Sequence, residues 1–234
     1  KGILVSLARV HGRSLAEFAM AYMLMLAKDA PRHWKNQKQH QWERFNTGQL
    51  EGKTVGILGL GRVGRALASM ARGFEMRLVA IRRSQERAER GVQGVDELLP
   101  PSHLERLLEQ SDFVVVGVPL TAETRGMLGE TALRAMKPSA YLINVARGAI
   151  VDDTALVRAL REGWIAGAGL YAFTTEPLPR DSELWRLPNV MISSHVAGLS
   201  KLNVAKAVRL FCNNLKRFLA GKELLELADR EKGY

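Results

Sequence analysis

Residues 54–64 read TVGILGLGRVG, and no other stretch of the chain restricts its fold as strongly. The apolar run from Val55 to Leu58 suits a strand covered on both faces, as in a parallel sheet. Residues 62–72, RVGRALASMAR, have helix-forming composition, and Gly73 stands where a C′ glycine is expected. A strand, a glycine-rich turn and a helix in that order form a dinucleotide site. Gly59 permits the tight turn, Gly61 lets the backbone approach a pyrophosphate, and Gly64 lets helix and strand pack closely. Arg62 and Val63 complete the loop, and the helix N-terminus behind them favours phosphate.

Beyond this unit, strand-like runs at 77–81, 112–118, 140–145, 166–171 and 189–193 alternate with helical patterns. Alternation of this kind predicts an α/β fold, a doubly wound parallel sheet of Rossmann NAD(P)-binding type. A helical arm precedes it and a C-terminal helix follows. Residues 15–27 are nearly all apolar apart from Glu17, and Ser14-x-x-Glu17 reads as a capping box opening a buried or interface helix over 14–28. Residues 29–50 are polar and irregular, with helical stretches. Ser102-x-x-Glu105 is a second capping box, with Leu104, Leu107 and Leu108 on the apolar face behind it. Asp152 or Asp153 is placed to cap a helix ending before Gly163. The last helix spans about 201–220 and stops before Gly221.

Composition narrows the function classes. A chain of 234 residues with 47% hydrophobic content can bury one good core with appendages. No run of 18 apolar residues exists, so no membrane partner is expected, and no secretory signal is visible. The single cysteine, Cys212, forbids an intrachain disulfide and fits a cytoplasmic protein. Its place in a helical pattern predicts a packed side chain. No metal site is expected. The net charge of +10 is dispersed rather than striped, so nucleic acid is not the expected partner. The densest basic stretch, residues 28–44, contains Trp34 and Trp42 and reads as an arm that packs on a second subunit.

In an open α/β sheet, ligands bind beyond the carboxyl ends of the strands. The second strand ends in Arg82-Arg83-Ser84, and the third in Val118-Pro119 with Thr124 close behind. The fourth ends in Val145-Ala146-Arg147. The fifth leads to Tyr171 and then Glu176, and the last to His195 and Gly198. A cation, a carboxylate and an imidazole thus share the edge that holds the cofactor. They suit hydride exchange with a 2-oxo or 2-hydroxy acid. His195 serves as the acid–base, Glu176 orients its ring, and the fork of Arg147 binds the substrate carboxylate. NAD-preferring sites place an acid about 20 residues after the glycine turn. Arg82 stands there instead, followed by Arg83 and Ser84, so NADP is expected over NAD.

These residues lie in segments that resemble the D-isomer-specific 2-hydroxyacid dehydrogenases, the group containing glyoxylate/hydroxypyruvate reductases. The matching pieces are GILGLGRVG at 56–64, MKPSAYLINVARGAIVDDTAL at 136–156, GAGLYAFTTEPLP at 167–179 and LPNVMISSHVAG at 187–198. The resemblance implies that Arg147, Glu176 and His195 form the catalytic set and that the arm serves a homodimer. It also implies three regions. Residues 1–50 are the remnant of a substrate domain with the arm, 51–198 bind the dinucleotide, and 199–234 pack on the substrate domain. Turnover by this chain without that domain is expected to be weak. One departure stands out. Where the family has an Asp that bonds the nicotinamide amide, this chain has Tyr171, whose hydroxyl is the expected substitute. Two other functions fit the sequence: a catalytically silent dinucleotide-binding module, and a corepressor-like nucleotide sensor.

Overall fold

The computed structural model describes residues 3–229. All six expected strands form: β1 (Thr54–Leu58), β2 (Arg77–Ile81), β5 (Phe113–Val116), β6 (Tyr141–Asn144), β7 (Gly167–Leu170) and β8 (Val190–Ile192). Two short ones, β3 (Glu89–Arg90) and β4 (Glu97–Leu99), join them. The sheet order is β3-β4-β2-β1-β5-β6-β7-β8, parallel throughout except for the β3–β4 pair. Sequence order turns back beside β1, so the crevice beyond β1 and β5 is the topological switch point where ligands collect.

The helices are α1 (Gly12–Ala27), α2 (Ala30–Lys38), α3 (Arg62–Arg72), α4 (Leu104–Gln110), α5 (Glu130–Arg134), α6 (Asp153–Arg161) and α7 (Lys201–Leu219). The period-two alternation of the strands splits the core into two layers. Val55 and Ile57 of β1, Phe113 and Val115 of β5 and Ile143 of β6 face α1 and α3. Leu58, Val114, Val116 and Leu142 face α4, α5 and α6. A sheet buried on both faces is what the uninterrupted apolar run in β1 required.

β4 escapes a reading by pattern because it begins with a charge. Glu97 is buried and ion-pairs with Arg77 at 3.2 Å and with Arg106. Pairing with β2, rather than local propensity, makes this segment a strand. β3 is a two-residue antiparallel edge carrying charge, which discourages further strand addition.

Two expected capping boxes do not form. α1 begins at Gly12, so Ser14 lies inside it. The Ser14 hydroxyl donates instead to the Ala197 carbonyl at 2.6 Å, tying the helix to the segment after β8. α4 begins at Leu104 because Pro100 and Pro101 first set a 3-10 turn over Pro101–His103, and Ser102 Oγ bonds to His103 Nδ1 at 3.2 Å. Leu107 and Leu108 are fully buried as expected, and Leu104 packs beside them. Asp152 does cap α6, its Oδ1 accepting from the Ala155 amide at 2.8 Å. α3 stops at Gly73, but Gly73 remains right-handed (φ −66°). The left-handed residue is Glu75 (φ 54°).

α1 is a core helix of this same unit. Ala16, Ala19, Met20, Tyr22, Met23 and Leu26 are buried in the layer shared with α3. The arm behind it folds back: Glu43 pairs with Arg32 of α2 and accepts from Asn36 at 2.8 Å, while Lys28 donates to the Gly48 carbonyl.

α7 is different. Val204, Val208, Phe211 and Phe218 are exposed along it, and Cys212 is exposed too, contrary to the expectation that it packs. The helix touches the rest of the unit at one flank, so its helical pattern alone did not imply burial. Asn214 is buried and bridges Ser6 to Leu225, and the segment around Ser6 pairs antiparallel with Leu227. Beside this bridge, Leu4, Phe211, Leu215 and Phe218 line a groove of about 390 Å³. The end of the expected tail region, residues 230–234, lies outside the described residues. Among the described residues, no helix is long and apolar enough to cross a membrane.

Candidate active site

The glycine turn is built as its spacing requires. Gly59 has φ 99°, a conformation open to glycine, and a Cβ there would lie 2.9 Å from Val118. A Cβ on Gly64 would lie 2.2 Å from the Gly59 carbonyl oxygen, so α3 packs on the turn only because that atom is absent. In front of Gly61, by contrast, no atom lies within 4 Å of the Cβ position. Open space before the first turn of α3 is a cradle of the kind a pyrophosphate fills, and the site fits a dinucleotide. Val63 is half-buried behind this turn. Arg62 is exposed and pairs with Glu226, which also lies 3.5 Å from Arg9.

Past β2, Arg82 is half-buried and its guanidinium donates to the neutral Gln93 side chain at 2.9 Å. Arg83 and Ser84 follow on the exposed surface. Past β5, Val118 abuts Gly59 and Pro119 is exposed. The Thr124 hydroxyl donates to the Pro119 carbonyl at 2.7 Å and accepts from the Thr121 amide at 2.8 Å, so it closes that loop.

Past β6, Val145 is buried and Ala146 and Arg147 rise to the surface. Asn144, which the sequence reading passed over, shapes this rise. Its Oδ1 accepts from the Ala146 amide and its Nδ2 donates to the Arg147 carbonyl, each at 3.0 Å. The signal was an Asn at a strand end before a short loop, an Asx turn. Next, Gly148 meets the following loop so closely that a Cβ would lie 2.0 Å from the Phe173 carbonyl carbon. This contact brings the Arg147 loop beside the loop that carries Glu176.

His195 and Glu176 are in direct contact. His195 Nδ1 lies 2.9 and 3.0 Å from the two carboxylate oxygens, and Glu176 also accepts from the Phe173 amide at 2.9 Å. Burial opposes ionisation of Glu176. The Phe173 amide, the His195 ring and the charge of Arg147 outweigh it and hold the carboxyl below its ordinary range. Both side chains keep about a third of their surface open, 36% for His195 and 37% for Glu176, so reactants can reach them. Because an ionised carboxylate only accepts, His195 carries its proton on Nδ1 and turns Nε2 away from Glu176.

Tyr171 is 3% exposed and packs its ring against His195. Burial raises the pKa of its hydroxyl, against the pull of the Ala197 and Gly198 amides and of Arg147. Gly198 lies beside the His11 ring. The strand ends therefore gather Arg147, Glu176, His195 and Tyr171 at one place, with the glycine turn on the same edge of the sheet.

Comparison with known proteins shows which family the chain resembles. Residues 20–197 match the family model described as D-isomer specific 2-hydroxyacid dehydrogenase, NAD binding domain. The chain is 40% identical over 225 residues to a glyoxylate reductase of Korarchaeum cryptofilum, covering 92% of this chain and 66% of that protein. It thus spans just under two thirds of the curated relatives it matches. Among solved structures, a D-isomer specific 2-hydroxyacid dehydrogenase from Xanthobacter autotrophicus, in complex with NADPH and MES, superposes with a TM-score of 0.87 at 32% identity. That match covers 100% of this chain and 95% of the other. An NADPH-dependent glyoxylate/hydroxypyruvate reductase from Sinorhizobium meliloti, in complex with NADP and sulfate, gives 0.88 at 25% identity, covering 100% and 74%.

Proposed function

The chain belongs to the D-isomer specific 2-hydroxyacid dehydrogenase family, and from that premise we propose that it is the cofactor-binding part of an NADPH-dependent reductase of 2-oxo acids. The observation that carries the reading is the His195–Glu176 pair, held at the strand ends on the edge that carries the glycine turn. When bound, the dinucleotide supplies the hydride. The residues of this chain do the rest. In its protonated form the His195 ring also carries a proton on Nε2, which it would give to the oxygen of the reduced carbonyl, leaving a 2-hydroxy acid and the neutral imidazole. Glu176 keeps the imidazole in one tautomer and stabilises its protonated form. Arg147 holds the substrate carboxylate and draws electron density from the adjacent carbonyl. The test is NADPH oxidation, followed optically, with glyoxylate and hydroxypyruvate as acceptors.

A substrate domain completes the site in this reading, and the exposed apolar row of α7 with the groove beside Leu4 supports such a cover. The single cysteine and the use of NADPH suit the cytoplasm.

NADP is the favoured cofactor. Arg82 stands at the end of β2, and among the described residues its guanidinium bonds a neutral amide, with Arg83 and Ser84 beside it. Two solved relatives are in complex with NADPH or NADP. Arg82→Ala is expected to weaken NADPH binding about tenfold while NADH binding changes little, since a charge-assisted bond to the 2′-phosphate is lost. Fluorescence titration of both nucleotides measures this. Parallel losses for both would refute the assignment.

The chain also self-associates in this reading. The core burial of α1 removes most of its apolar face from consideration. What remains is a groove of about 690 Å³ between Phe18, Met25, Trp34 and Ile192, and further along the arm Trp42 is 94% exposed. A dimer is expected by sedimentation at micromolar concentration, and Trp34→Ala with Trp42→Ala should shift it to monomer. A parent chain that is monomeric at that concentration contradicts the expectation.

A further inference from the structure

We propose that Tyr171 is a positioning residue for His195: its buried ring sets the orientation of the imidazole rather than contacting the cofactor. The inference rests on the acid–base role assigned to His195 above. The carboxylate of Glu176 grips Nδ1, but a single gripped nitrogen leaves the ring able to swing about that bond. The Tyr171 ring removes this freedom. Its centroid lies 4.7 Å from that of the imidazole, with the planes tilted by 56°.

Tyr171 is itself held from behind. The Phe18 ring of α1 lies 5.5 Å from it, and its side chain is nearly sealed from solvent. The Ala197 and Gly198 amides, on the segment just beyond His195, favour ionisation of its hydroxyl, and burial outweighs them. Its backbone takes part as well, because the His195 amide donates to the Tyr171 carbonyl at 3.2 Å. His195 is left-handed (φ 54°), a conformation that a non-glycine residue keeps only where its surroundings enforce it. α1 adds a second brace, since the Tyr22 hydroxyl donates to the Leu170 carbonyl at 3.1 Å and bonds Ser193 Oγ at 2.7 Å. Ring and carbonyl of Tyr171 therefore both act on the turn that presents the imidazole.

Four variants separate ring from hydroxyl: Tyr171→Ala, Tyr171→Phe, Tyr171→Asp and Phe18→Ala. Three quantities are read for each: kcat and KM for glyoxylate on the protein completed by its substrate domain, NADPH affinity, and the ¹⁵N resonances of the His195 ring. Tyr171→Ala is expected to lower kcat by at least about tenfold, because small misplacements of an acid–base are costly. NADPH affinity and KM should stay within about threefold, and the ring resonances should shift and broaden as the imidazole loses its fixed orientation, the Nδ1–H tautomer being kept by Glu176. Tyr171→Phe should restore kcat to within about fivefold of the parent, and Phe18→Ala should show a smaller loss of the same kind. Tyr171→Asp should resemble Tyr171→Ala. An NADPH affinity that falls in Tyr171→Phe, or a rate that rises in Tyr171→Asp, would place the residue on the nicotinamide and overturn the proposal. So would ring resonances unchanged in Tyr171→Ala. Should the parent neither bind NADPH nor turn over, the functional reading fails, and the resonances still decide the positioning role.

Discussion

His195→Ala is expected to lower the rate of 2-oxo acid reduction by about 10²–10⁴-fold, with NADPH affinity nearly unchanged. In the proposed reading the imidazole passes a proton to the carbonyl oxygen, and the glycine turn would hold the cofactor independently of it. The measurement is steady-state kinetics on the protein completed by its substrate domain, since a closed cleft excludes water and fixes the near-attack geometry. Glu176→Gln should cost less, because it keeps a hydrogen-bond partner for Nδ1 but removes the charge that stabilises the protonated ring. The pH dependence follows from the direction of the Glu176 shift. A carboxyl held below its ordinary value of 4.5 keeps the pair intact above that pH. The contact is lost only as pH falls through the lowered value, so the acid limb of the profile should not be set by Glu176. A His195→Ala protein that reduces glyoxylate at the parental rate would remove His195 from the chemistry.

Gly64→Ala is the second large effect. The added methyl would meet the Gly59 carbonyl oxygen at 2.2 Å, a backbone atom that cannot yield cheaply, and the buried Ile57 side chain lies 3.0 Å away. Overpacking of this kind costs about 3 kcal/mol, or roughly 6–12 °C in Tm for a domain of this size. NADPH binding should fall with it, because relief requires the turn to open. Gly61→Ala supplies the contrast. Its Cβ enters empty space, so Tm should move by no more than roughly 2 °C. The same methyl fills the cradle in front of α3, so NADPH affinity should drop at least about tenfold. Calorimetric melts and nucleotide titrations on both variants check the pair. Equal melting losses, or full affinity in Gly61→Ala, would contradict the roles given to these glycines.

The sequence made the six long strands legible because each is an apolar run bounded by turn residues, and a sheet buried on both faces needs no alternation. The glycine turn was legible because its three positions carry separate steric demands. The pairing of His195 with Glu176 was anticipated from strand ends alone, since the sheet brings those ends to one edge. What escaped was set by partners distant in sequence. β4 contains a buried Glu97 that is tolerable only beside Arg77 and Arg106. Ser14 has the spacing of a cap, yet its hydroxyl is taken by Ala197, 183 positions away. Cys212 and the apolar row of α7 fit a packed helix by pattern, and pattern does not reveal which face lacks a neighbour. The motif places Tyr171 among the cofactor contacts, and it does not reveal that the ring packs on Phe18 and His195. No local feature announces that stack.

The most direct test of the account is an isothermal titration of this chain with NADPH and with NADH, run beside Arg82→Ala. The account predicts one NADPH site per chain, NADH bound at least about tenfold more weakly, and loss of that difference in Arg82→Ala. A chain that binds neither nucleotide, or that binds NADH as tightly as NADPH with no change in Arg82→Ala, would contradict it.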